Sequence, residues 1–244
     1  MKKFDYLNNE AVHDFVHWLA PRLNSDVFSQ SYINRRNKKI WSCHSIYDAF
    51  EQYEWRFPSC ADFDITAGHT FAENKLALAA FQAALREAVD QLDDALALKA
   101  ARAVVSWGGV SNGNITWLNT HKEKLALLLM ETRDILNSGD LQNLSKDIRF
   151  TAGMTKIYAL LCDELVIYDS RVAAALGWGF VTYCQVKGLS VVPELLRFPF
   201  ANAKEGINVS HPKNRCPNVG QLTFPRLVSG VEHARWNAKA SWLL

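Results

Sequence analysis

Two residues between Thr151 and Leu176, in the stretch TAGMTKIYALLCDELVIYDSRVAAAL, are of types that do covalent chemistry: Lys156 and Asp169. A lysine amine attacks carbon only when it is neutral. Bringing its pKa from ~10.4 toward 7 takes about 4 kcal/mol, usually supplied by burial or a nearby cation. Ile157, Leu160 and Leu161 lie on the same helical run and offer that burial. A carboxylate that stays ionised beside the amine can stabilise the positive charge a sugar develops as its glycosidic bond breaks. The amine can then capture the sugar C1′ as a Schiff base. The same two residues also fit a plain salt bridge, or a solvated lysine and a capping aspartate. Spacing alone does not choose among these.

For the pair to meet, the chain must reverse between them. Helix from Lys156 to Asp163 advances ~10 Å, and an extended return from Leu165 to Asp169 covers ~13 Å. A reversal between those segments brings Asp169 back to the level of Lys156. Asp169-Ser170 ahead of RVAAAL is also a good helix N-cap. The spacing therefore predicts helix, extended return and helix, with lysine and carboxylate converging at two helix ends.

The remaining elements must hold that geometry. Residues 9–23 place Val12, Phe15, Val16 and Leu19 on one helical face, with Pro21 at its end. His13 and His17 have metal-ligand spacing but no third partner, so surface or packing roles are expected. The next stretch, FSQSYINRRNKKIW, interleaves Arg35, Arg36, Lys38 and Lys39 with Tyr32 and Trp41. It reads either as a phosphate-following, base-stacking segment or as a solvated basic loop. A helix is predicted over 45–55, with Ser45 as cap and Ile46, Phe50 and Tyr53 inward, then a loop over 58–70.

Residues 71–105 are rich in strong helix formers. The apolar stripe Leu76, Phe81, Leu85, Val89, Leu92, Leu96 and Val104 is expected to be mostly buried, with a break near Asp93–Asp94. The turn SWGGVSNGN follows, where Gly108 and Gly109 permit positive φ or a close approach. It lacks the phosphate-loop pattern. Trp107, Asn112, Asn114 and Trp117 could line a base pocket, or could be ordinary turn residues. Helix resumes from Ile115 and is closed by Gly139–Asp140. Residues 177–188 read as buried, and Val231, Trp236, Ala240, Leu243 and Leu244 as the packed positions of a closing helix. From Arg197 to Lys239, seven Lys/Arg against two acids give +5, an expected phosphate-facing surface.

A chain of 244 residues with 49% hydrophobic and 21% charged residues has enough core to fold without staples. The net charge of +2 identifies no partner by itself. Five scattered cysteines without CxxC spacing fit a reducing compartment and argue against a zinc ribbon or an iron–sulfur cluster. No signal peptide or membrane span is read, so a soluble cytoplasmic monomer is expected.

Thr155-Lys156-Ile157 followed by Val166-Ile167-Tyr168-Asp169-Ser170-Arg171-Val172 resembles the catalytic core of the helix-hairpin-helix DNA glycosylases, nearest the bacterial 8-oxoguanine-glycosylase-like branch. The likeness is specific over about residues 150–176 and weaker in WGGVSNGN and NAKASWLL. It implies an all-α, mainly helical fold, a single domain over 1–244 whose helical lobes flank the active site, with catalytic helices at about 145–185. It also implies Lys156 as nucleophile and Asp169 as its carboxylate, with no cofactor and no metal. The partner would be double-stranded DNA carrying a modified base, either an oxidised purine or a hypermodified pyrimidine of phage DNA. Arg35, Arg36, Arg171, Lys213 and Arg215 are the expected DNA contacts. The chain departs from the family in having only Gly153 in its hairpin turn, a thirteen-residue Lys–Asp spacing, no four-cysteine cluster and no β-rich N-terminal domain. A non-catalytic helical DNA-binding module is the rival reading.

Overall fold

Strong helix formers dominate the sequence, and ten α-helices and two small antiparallel sheets make up the regular structure among the described residues. The computed structural model describes residues 2–34, 38–145, 148–203 and 214–244, which leaves Arg35, Arg36 and Lys213 outside it. No helix among the described residues is long and apolar enough to cross a membrane.

Helix α1 (Lys3–Leu7) leads into α2 (Glu10–Leu19), whose N-terminal amides are capped by the Asn9 side chain. Val12, Phe15 and Trp18 form its buried face. Pro21 lies in the 3-10 turn that ends it. The basic–aromatic stretch then forms a hairpin rather than a loop: β1 (Gln30–Ile33) pairs with β2 (Ile40–Cys43), Tyr32 opposite Trp41 and Ile33 opposite Ile40. Aromatic and β-branched residues favour strands, a preference that the density of charge obscures in the sequence.

Ser45 caps α3 (Ile46–Glu51), accepting the Asp48 N–H at 3.0 Å. This helix is shorter than the predicted 45–55, because β3 (Glu54–Phe57) follows and pairs with β4 (Gly68–Thr70). Ile46, Phe50 and Tyr53, expected inward, are exposed. Six helical residues span too few turns to bury a continuous face.

A capping box of Thr70 and Glu73 starts α4 (Phe71–Gln91). The break falls where expected. Leu92 adopts left-handed φ 53°, and Asp93 caps α5 (Asp94–Trp107) by accepting the Leu96 N–H at 2.9 Å. Phe81, Leu85, Val89 and Val104 of the predicted stripe are buried, but Leu76 and Leu92 are exposed. The following helical region is two helices, α6 (Asn114–Thr120) and α7 (Leu125–Ser138), the latter closed by Gly139 at φ 68°. Helices α8 (Thr155–Leu161), α9 (Ser170–Val186) and α10 (Val231–Leu243) complete the chain. Leu244, expected to pack, is exposed.

Two apolar cores result. The first joins α4, α5, α7 and α8 through Phe81, Leu85, Val104, Leu129, Ile157 and Tyr158. The second joins α2 and α9 to the irregular C-terminal segments through Phe15, Phe180, Phe198 and Phe224. Helix α10 belongs to both: Ala234 and Ala238 face the first, Ala240 and Leu243 the second, and Trp242 packs against each. Helices α8 and α9 therefore meet at the seam between the cores.

The α4–α5 break rests on a single side-chain cap. Asp93→Ala is expected to lower stability by about 1 kcal/mol, read as a reduced urea midpoint with unchanged m-value.

Candidate active site at the seam of two cores

Lys156 sits in the first turn of α8, where Thr155, Ile157, Tyr158 and Leu161 are all buried with it. Thr151 holds the turn before that helix, its hydroxyl oxygen accepting the N–H groups of Gly153 (3.3 Å) and Met154 (3.2 Å). The aliphatic part of Lys156 lies along the end of α5. A Cβ at Gly108 would stand 2.5 Å from Lys156 Cδ and 2.8 Å from Cε, so any side chain there would displace the lysine stem. Gly109, at φ 62°, supplies the turn. A Cβ at Gly153 would overlap the Asn114 side-chain amide.

After Leu161 the chain bends and returns without regular structure over 165–168, bringing Tyr168 back to Thr155 and Asp169 back to Lys156, the predicted reversal. Lys156 Nζ donates to Ala152 O at 3.0 Å and to Asp169 Oδ2 at 3.4 Å. The two carboxylate oxygens of Asp169 have different partners. Oδ1 caps α9 through the N–H groups of Arg171 (2.8 Å) and Val172 (3.4 Å). Oδ2 holds Lys156 and, at 3.2 Å, the Arg171 guanidinium. Lys156 is 4% and Asp169 7% exposed.

Burial pushes the Lys156 amine below the usual lysine range, against the opposing pull of Asp169. Burial works to raise the Asp169 carboxyl, but Lys156, the α9 amides and Arg171 outweigh it and hold the group below its usual range. Burial thus eases loss of the lysine proton, while the ammonium and the α9 amides help keep Asp169 ionised. Nucleophilic attack by lysine requires that the amine first give up that proton.

Helix α10 fixes this arrangement through three polar residues. Asn237 accepts the Thr155 hydroxyl and donates to Val166 O at 2.8 Å. Ser241 accepts the Val166 N–H at 3.0 Å. His233 is buried, its ring Nε2 lies 2.7 Å from Tyr168 O, and burial lowers its pKa, so the neutral ring donates there. Thr155 in turn accepts the Tyr168 N–H at 3.1 Å. The residue before Lys156 and the residue before Asp169 are thereby bonded to each other and to one helix. His233, Asn237 and Ser241 fall at i, i+4 and i+8, a polar stripe visible in the sequence but not singled out there.

The other expected site residues are placed differently. Trp107 is buried, with its indole N–H donating to Asn74 Oδ1 at 2.8 Å, and does not line an open pocket. Asn114 is also buried. It donates to Val110 O at 2.7 Å and accepts from Arg149 Nε at 3.2 Å, so its amide ties the glycine turn to residues 149–151. Asn112 is exposed on that turn, and Trp117 stacks on His121 with centroids 4.3 Å apart. The four do not form one pocket.

Arg171 reaches the mouth of the site, bonded to Asp169 and 4.7 Å from the centre of the Trp55 ring. Arg215 also lies there, hydrogen-bonded to the Ser170 hydroxyl. Close packing of Pro217 on Gly177 keeps its segment on α9. His13 and His17 face each other with ring nitrogens 3.0 Å apart on the surface of α2. No group of three or more His, Cys, Asp and Glu suited to a metal gathers among the described residues.

Comparison with protein-family models, curated proteins and solved structures returned no match.

Two predictions follow from this geometry. Asn237→Ala orphans the Thr155 hydroxyl and Val166 carbonyl, at about 1–3 kcal/mol each, and should lower the denaturation midpoint accordingly. The second concerns pH. A carboxyl held below its unfolded value of ~3.9 contributes stability that is complete above that value and is lost as pH falls through the folded one. Asp169→Asn keeps a capping oxygen but loses this linkage. The wild-type Tm should therefore fall more steeply than the variant's as pH drops below about 5.

Proposed function

We propose that the chain is a DNA glycosylase of the helix-hairpin-helix type, which flips a modified base out of duplex DNA and cleaves its N-glycosidic bond. The observation that carries this reading is the buried Lys156–Asp169 pair, 3.4 Å apart at the start of two helices. As the bond to the base breaks, its electron pair leaves with the base and positive charge grows on the sugar. Asp169 Oδ2 stabilises that charge. Lys156 Nζ then attacks C1′, and ring opening converts the adduct to a Schiff base, from which strand nicking can follow. An attacking water positioned by Lys156 gives the same abasic product without the adduct.

Arg171 covers Asp169 on the solvent side and must shift from it for a sugar to approach. A hollow of about 370 Å³, which neither Lys156 nor Asp169 lines, is bordered by Tyr53, Phe71, Asn74, Leu78, Gln82 and Leu160. Leu160 is one helical turn from Lys156, and Asn74 bonds the backbone of Trp55, on whose ring Arg171 rests. Flipped bases are held by stacking, and the rings of Tyr53 and Phe71 supply such surfaces here. Tyr53 and Phe71 replace Trp107, Asn112, Asn114 and Trp117 as the proposed base contacts. The substrate class is an oxidised purine, as in repair, or a hypermodified pyrimidine of phage DNA, as in defence. The reaction needs no cofactor, and the protein acts as a monomer in the cytoplasm.

The test is incubation with duplex oligonucleotides carrying a panel of modified bases, with and without borohydride. Wild type should release one free base and leave a covalent adduct at Lys156. Lys156→Ala should form no adduct, and Asp169→Asn should slow release by about 10²–10³-fold. Full activity in either variant, or no base release from any substrate, sinks the proposal. Tight, salt-sensitive binding without product would instead identify a non-catalytic DNA-binding module.

A further inference from the structure

We infer that the β1–β2 hairpin is a duplex-probing wedge, with Ile33 and Ile40 entering the base stack while Lys38 and Lys39, exposed beside them, hold phosphates. For its purpose, base extrusion, this rests on the proposed function, but its readout needs no catalysis.

The hairpin exposes what a folded chain ordinarily covers. Ile33 and Ile40 face each other across the strands at 64% and 74% exposure, and Tyr32 beside them is 54% exposed. Every residue of β1 is exposed, and β2 buries only Cys43. An isolated two-stranded hairpin is marginal in water. This one is tied down at its base, where β2 packs on α3 and Gln52 bonds Ser42 O at 3.1 Å. At the other end, Asn34 N–H bonds Lys39 O and Lys38 N–H bonds Asn34 O, both at 2.8 Å. The apolar pair is thus held at the far end of the paired strands, beside Asn34 and Lys39.

Charge identifies the occupant. Between Val27 and Tyr47 the sequence holds Arg35, Arg36, Lys38 and Lys39 and no acid, +4 in a chain whose total is +2. A second copy of the same hairpin would bring like charges together, which disfavours self-association. Exposed isoleucines bordered by cations match the two things a duplex offers together, a stack that accepts apolar wedges and a flanking row of phosphates.

The full chain is titrated against a duplex oligonucleotide containing 2-aminopurine, whose fluorescence rises on unstacking, with Kd read in parallel by anisotropy. Wild type should raise the fluorescence at saturation. Ile33→Thr/Ile40→Thr keeps β-branched residues at exposed positions, so the fold should persist. It should cut the rise at least about fivefold while changing Kd by less than about threefold. Lys38→Ala/Lys39→Ala should weaken binding and reduce the salt slope by about 2, with the rise at saturation retained. An undiminished rise in the isoleucine variant overturns the assignment, as does failure of wild type to bind duplex. So does isoleucine-dependent binding to phosphatidylserine vesicles without unstacking. Unstacking without base release leaves the wedge standing and sinks the glycosylase reading. Base release with unstacking indifferent to the isoleucines does the reverse.

Discussion

A lysine kept out of water is the constraint from which the rest of the site follows. Burying an ammonium costs several kcal/mol unless a counter-charge and hydrogen bonds receive it, or unless it gives up its proton. Lys156 has one carboxylate oxygen and one backbone carbonyl within reach, while its stem lies in apolar surroundings and against Gly108. Both routes are therefore built into one position. The charged form is received by Asp169, and the neutral form is favoured by burial. In the proposed reaction the amine passes between these two conditions.

Holding Asp169 opposite Lys156 is a problem in assembling separate cores. Helix α8 packs in one and α9 in the other, so their relative placement depends on what spans the seam. Helix α10 spans it, with small apolar residues toward each core and the His233–Asn237–Ser241 stripe toward the chain between Thr155 and Tyr168. Low local dielectric strengthens such a network when every member is satisfied and penalises it when one is lost. The geometry of the Lys156–Asp169 pair and the stability of the seam consequently rest on the same bonds.

What could be read from the sequence was largely what is decided within a few residues. The helix break at Leu92–Asp93, the Ser45 cap, the return to Asp169 and the positive φ of Gly109 all carry local signals. The errors came from partners distant along the chain. Trp107 and Asn114 looked free to meet a base, but residues 33 positions before the first and 35 after the second use their polar groups. Ile46, Phe50 and Tyr53 showed helical periodicity, but the helix ended before it could turn them inward. Thr155 meets Asn237 across 82 positions, beyond the reach of any local pattern. The polar period of α10 was the one trace of that contact left in the sequence.

The contact between Gly108 and the lysine stem joins two positions 48 apart into a single inherited unit. A lineage that placed any side chain at 108 would have to give up the conformation of residue 156 or shift the end of α5. A lineage that lost the lysine would be released from glycine. Among descendants of this chain, position 108 should not change while Lys156 is kept, and a glycine retained beside an altered 156 would mark a recent loss of the lysine.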